Sequence, residues 1–168
     1  MSRSGVHFAL TAAQTETLWD HYEQQNDAGV LEVVSSIEAA WDEAHLQETD
    51  KAWDAIHRCL SDGTLRPGAG TWPLVGAVLG GECMYFGDDH IVRFLDADNV
   101  AEVSAALATV THDWFAGRFA TLGQHGYAGA GDERDLAYTW HWFEQMRAFF
   151  ARTAAEKRAV IFSADTLL

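Results

Sequence analysis

The run Ala159-Val160-Ile161-Phe162-Ser163 constrains this chain more than any other stretch. Four apolar residues in succession leave no polar face for water, so a strand of this character belongs at the centre of a sheet or under cover on both faces. It follows a long helical stretch over about residues 133–157. There Leu136, Tyr138, Trp140, Trp142, Phe143, Met146, Phe149 and Phe150 occupy more than one helical face. Such a helix packs on two sides, and its aromatic run, His141 included, reads as core. At the other end of the chain Val6-His7-Phe8-Ala9-Leu10 alternates like a short first strand. The first and last strands are expected to be neighbours.

The elements between them follow from caps and periodicity. Thr11 and Gln14 have the spacing of a capping box, opening a helix that carries Leu18, Trp19 and Tyr22 to about residue 25. Asn26, Asp27 and Gly29 break it. Val30, Val33, Val34, Ile37, Ala40 and Trp41 recur at spacings of three and four, predicting a second helix to about residue 43 with a solvated acidic face. His45-Leu46-Gln47 reads as a connector. Residues 64–73 hold both prolines and form the clearest long loop. A short apolar helix or turn over 74–79 follows, ended by Gly80-Gly81. Ile91–Leu95 reads as a buried strand, Asp96 to Asn99 as the cap of a helix to about 110, and 113–121 as a further helix bearing Trp114, Phe115 and Phe119. Residues 124–132 form a second, glycine-rich loop. With no internal repeat, these elements predict a single domain over 1–168 of α/β or α+β class, a small mixed sheet covered by about six helices.

The densest chemistry lies in residues 48–63, read as one helix. Thr49 or Asp50 serves as its cap, Trp53, Ile56 and Leu60 form its apolar stripe, and Gly63 is its left-handed stop. Asp54 and His57 fall beside that stripe. As a carboxylate and imidazole one turn apart they are candidates for proton transfer or metal ligation. The alternative is a half-buried structural histidine that sets how the helix packs. Asp88-Asp89-His90, a turn before the strand at Ile91, is the candidate divalent-cation site. Trp53, and Trp72 in the 64–73 loop, are the candidate binding residues. No H-x-x-x-H, C-x-x-C, H-E-x-x-H, G-x-S-x-G or phosphate-loop pattern accompanies them, and Gly80-Gly81 lacks the lysine of a phosphate loop. No cofactor is expected.

Charge limits the partners. The chain has 25 acidic and 11 basic residues, net −14, and such a field repels nucleic-acid phosphates and anionic membranes. A basic protein partner or a small molecule remains. Cys59 and Cys83 are too few for a disulfide framework and read as reduced core residues of a cytoplasmic protein. No signal region precedes the first strand, and no apolar run approaches membrane-spanning length.

Several of these segments together resemble the YfbM-like family, an uncharacterised bacterial family. They are Gly5-Val6-His7-Phe8-Ala9-Leu10, the helix with Lys51, Trp53 and His57, the stretch from Pro73-Leu74 through Ala77-Val78-Leu79-Gly80-Gly81-Glu82, and the aromatic helix before Ala159-Val160-Ile161-Phe162. The resemblance touches nearly the whole chain and implies one cytoplasmic α/β domain with no established reaction or cofactor. It draws attention to Trp53 and His57. Three readings follow: a non-enzymatic acidic interaction or regulatory protein, a small-molecule or metal-assisted hydrolase using His57 and Asp54, and a ligand-binding domain with a tryptophan-lined pocket under the 64–73 loop.

Overall fold

The strand at the C-terminal end is central. In the computed structural model, which describes residues 4–165, five strands lie in the order β2-β1-β5-β4-β3. They are β1 (Gly5–Ala9), β2 (Leu46–Asp50), β3 (Glu82–Phe86), β4 (His90–Leu95) and β5 (Val160–Asp165). β5 pairs with β1 through His7 opposite Phe162 and with β4 through Arg93 opposite Phe162. All four ladders run antiparallel, where a mixture of directions was expected. The expected class of a small sheet under six helices otherwise holds.

Alternation along β5 explains why its apolar run is continuous. Val160, Phe162 and Ala164 enter one hydrophobic layer and Ile161 enters the other, each at most 2% exposed. The first layer is closed by α3 (Trp53–Leu60), α4 (Ala97–Leu107), α5 (His112–Phe119) and α6 (Glu133–Ala155). From α6 come Phe143, Met146, Phe149 and Phe150, all fully buried. The second layer is closed by α1 (Ala12–Glu23) and α2 (Asp27–Ala40) through Leu18, Val30, Val34 and Ile37. Thr11 and Gln14 make the capping box read from their spacing.

Three local expectations are overturned. Residues 48–63 are not one helix, because 46–50 pair with β1 as an edge strand, Phe8 opposite Leu46 and Gly5 opposite Asp50. Neither Thr49 nor Asp50 caps: the Thr49 hydroxyl donates to the Gly5 carbonyl, and Asp50 turns the chain at φ 47°. The helix begins at Trp53 without a side-chain cap. The gain from strand pairing overrides a local capping signal of about 1 kcal/mol. The supposed connector at 45–47 is absorbed into the same strand and the turn before it. α1 ends at Glu23, ahead of the break expected at Asn26 and Asp27, and the same residues open α2, with Asn26 accepting from the Gly29 amide; Trp41 ends α2 in the left-handed conformation. Cys83, expected in the core, is exposed on β3, while Cys59 is buried as expected and both thiols are free.

His7 sits in the first layer, 1% exposed, ringed by Phe149, Phe150 and Phe162. Its Nε2 donates to the Ala77 carbonyl at 2.7 Å, tying the sheet to the turn at Leu74–Ala77. Burial pushes its pKa down to about 4. The folded ring therefore stays neutral where an unfolded one takes a proton, and the unfolded state binds more protons between about pH 6.5 and 4.

Two outcomes are expected. Ile161→Ala removes fully buried volume at the sheet centre and costs about 3 kcal/mol in urea unfolding. Stability falls as pH drops from about 6.5 toward 4, and the His7 share of that loss, about 3 kcal/mol, is absent in His7→Gln. Unfolding curves for both proteins across that range check it.

Candidate functional site

The site is assembled where β2 hands over to α3. Asp50, in its left-handed turn, accepts the Tyr138 hydroxyl of α6, and the same phenol oxygen accepts the Lys51 amide at 3.2 Å. This clamp sets the start of α3. Trp53 drops into the core, 3% exposed, against Phe162 at 5.5 Å between ring centroids. Gly5 permits it, since a Cβ there would meet the Trp53 ring at 2.7 Å.

The polar residues of α3 are staples for loops. His57, 1% exposed, has its Nε2 at 2.9 Å from the Arg66 carbonyl and so holds the 64–73 loop. Burial lowers its pKa, with the Arg66 bond and the nearby Asp54 charge opposing. Asp54 does not bond to His57. It pairs with Arg58, Oδ1 to Nε at 2.7 Å. Arg58 also donates to the carbonyls of Gly63 and His125 at 3.3 and 3.1 Å, pinning the 122–127 segment. Gly63, at φ 95°, is the left-handed stop that its identity predicted.

Between these staples opens a cleft of about 690 Å³. Lys51, Trp53 and Asp54 form one wall and Leu65 of the long loop contributes from above. Tyr127 through Gly129 of the glycine-rich loop, with Asp135 and Tyr138 of α6, close the other side. Tyr127 donates to Asp135 at 2.8 Å, and its pKa is raised by burial and then by that bond. Tyr138 is pushed up to about 12, first by burial and then by Asp50. Both phenols are protonated donors at neutral pH, each with a carboxylate partner. Lys51 is exposed at the rim.

The candidate binding residues do not share this cleft. Trp72, 39% exposed, lines a separate cleft of about 340 Å³ with Trp19. The long loop therefore covers the main cleft with Leu65, and Trp53 is the tryptophan there.

The Asp88-Asp89-His90 group lies on the second layer's side of the sheet, away from His57. Asp88 and Asp89 are exposed in the turn, while His90 turns inward at the start of β4. Its Nδ1 is 2.8 Å from Asp165, its Nε2 is 2.9 Å from the Ser163 hydroxyl, and Glu38 of α2 lies 3.7 Å from that Nε2. Among the described residues no group of three or more His, Cys, Asp or Glu is placed to hold a metal ion. Ser163, His90 and Asp165 stand in the order of a hydrolase triad, but two features separate them from one. The Ser163 hydroxyl also donates to Glu38 at 3.1 Å. Ser163 further sits on the central strand, whose amides are committed to ladders on both sides and do not form an oxyanion hole. The cluster ties α2 to the ends of β4 and β5.

Lys51, Tyr127, Asp135 and Tyr138 were not singled out as site residues from sequence. Asp132, Asp135 and Tyr138 recur at spacings of three on the first turns of α6, a polar stripe that the aromatic density of the helix obscures. Glu38, Ser163 and Asp165 carry no local signal at all.

The class defined by fold and site is an antiparallel sheet between helical layers with a ligand-sized cleft at an edge-strand-to-helix turn. The chain belongs to the family described as "Domain of unknown function (DUF1877)", which it matches over residues 1–163. A crystal structure of YfbM from Escherichia coli, a protein of unknown function, shares the fold. It superposes with a TM-score of 0.69 at 15% sequence identity, covering 96% of this chain and 99% of that one. No curated protein matches the sequence.

Removing the Asp54 carboxylate strands a guanidinium that is only 10% exposed. Asp54→Ala is therefore expected to cost about 2 kcal/mol, below the full penalty for breaking a buried pair because Asp54 is itself partly solvated. Arg58→Met in the same background should recover part of that loss, as double-mutant denaturation will show.

Proposed function

We propose that this protein binds a small molecule rather than transforming one, acting as a non-enzymatic, acidic binding or regulatory module of the cytoplasm. The observation that carries this reading is the 690 Å³ cleft at Lys51–Asp54, whose size falls in the range of small-molecule sites. Its walls combine aromatic surface from Trp53, Tyr127 and Tyr138 with both signs of charge. Lys51 stands at the rim, and Asp54 and Asp135 stand within. That combination suits a zwitterion with an apolar part, such as an amino acid or a short peptide: a carboxylate at Lys51, an ammonium toward Asp54 and Asp135, and the apolar part against the rings. The engagement of Asp54, Asp135 and His57 by other groups of the protein supports binding over turnover. Asp54 holds Arg58, Asp135 holds Tyr127, and His57 is tied to a carbonyl.

Native mass spectrometry of protein purified without chelators, followed by tryptophan fluorescence against amino acids and dipeptides, tests the proposal. A ligand is expected that perturbs Trp53 emission and loses about tenfold in affinity, near 1.4 kcal/mol, in Lys51→Ala and again in Asp135→Asn. A ligand that binds both variants as tightly as the parent, or turnover of any compound in the panel, overturns it.

A further inference from the structure

The sheet ends on one side in β3, and that end is open. β3 pairs only with β4. Among the described residues no other group hydrogen-bonds to the backbone of Glu82–Phe86. Amide and carbonyl groups on either side of a register shift between Cys83 and Tyr85 therefore face outward, a template for one more strand that follows the same irregularity. The opposite edge differs in that Arg152 of α6 donates to the Leu46 carbonyl of β2.

Three features along β3 describe what fits there. Phe86, at its end, is 69% exposed, far beyond any other large apolar residue of the protein's described surface. At its start is the 340 Å³ cleft, walled by the rings of Trp19 and Trp72 and carrying two carboxylates, Glu82 and Asp96, with no basic residue on its lining. Beyond Phe86 lie the exposed acids Asp88 and Asp89. An apolar contact thus sits between two negative ends, in a protein of net charge −14. Like charge at both ends disfavours a second copy of this chain and favours a partner of opposite sign.

We infer that the outer edge of β3 is a docking site for an extended basic polypeptide segment, which adds as a sixth strand. Its main chain pairs with Glu82–Phe86. A lysine or arginine enters the cleft between Trp19 and Trp72, meeting Glu82 and Asp96, and an apolar residue covers Phe86. Backbone pairing supplies the register, and the carboxylates and indoles select the cation. This site is separate from the small-molecule cleft, and neither proposal depends on the other.

The probe is a synthetic heptapeptide alternating lysine and valine, titrated into the intact protein by fluorescence anisotropy with amide hydrogen exchange read in parallel. The expected result is salt-sensitive binding with new protection confined to residues 82–86. N-methylation of alternate peptide amides, Glu82→Lys and Phe86→Ala should each weaken binding about tenfold. Glu102→Lys, an exposed charge reversal on α4, should change it little. Three outcomes overturn the inference: binding indifferent to N-methylation, protection appearing elsewhere or not at all, and a concentration-dependent dimer that protects 82–86 without peptide, which assigns the edge to a second copy.

Discussion

Burial of β5 on both faces is the constraint from which the rest of the structure follows. A strand that shows apolar side chains upward and downward is stable only between two hydrophobic layers, and its backbone groups need a neighbour on each side. β1 and β4 supply the neighbours. α6 supplies one layer with a run of phenylalanines, and α1 and α2 supply the other. Phe162 then becomes a shared surface for His7 from β1 and for Trp53 from α3. The wall of the cleft is thus set by the same ring that centres the sheet. Gly5 is bare of a side chain where Trp53 must pass.

Polar groups do a different job in this molecule. His57, Arg58 and Tyr138 each reach across to backbone or side-chain atoms of another segment and fix loops that otherwise touch the core through few side chains such as Leu65 and Tyr127. Arg118 does the same at the end of α3, donating to the Cys59 and Ser61 carbonyls. The glycine-rich and proline-rich loops are long and irregular, so their order depends on such bonds. The cleft exists because these staples hold two loops apart above α3 and α6. Its ionisable groups are largely the same residues that keep it open, which is why they are paired with one another.

Periodicity was informative wherever one residue's environment repeats along an element. The long aromatic helix, the capping box at Thr11, the apolar stripe of Trp53, Ile56 and Leu60 and the glycine stop at Gly63 all have their form written in local spacing. Residues 46–50 were misleading for a physical reason. Leu46-Gln47-Glu48-Thr49-Asp50 has no strong strand character, and it becomes a strand because β1 offers an edge. Cys83 likewise looked apolar by its neighbours and is exposed because β3 is the last strand.

The sequence by itself determined the main helices, the central place of the last strand beside the first, and the acidic field, because these depend on pattern and composition; the edge strands β2 and β3 it did not determine. Only the tertiary structure decided which groups meet. Asp54 turns to Arg58 rather than to His57, His90 finds Ser163, Asp165 and Glu38, and Tyr127, Asp135 and Tyr138 converge on Lys51 and Trp53. These groups stand up to 127 residues apart in the chain, as Glu38 and Asp165 do. Their meeting is fixed by the stacking of whole elements around β5, and no spacing along the chain encodes it.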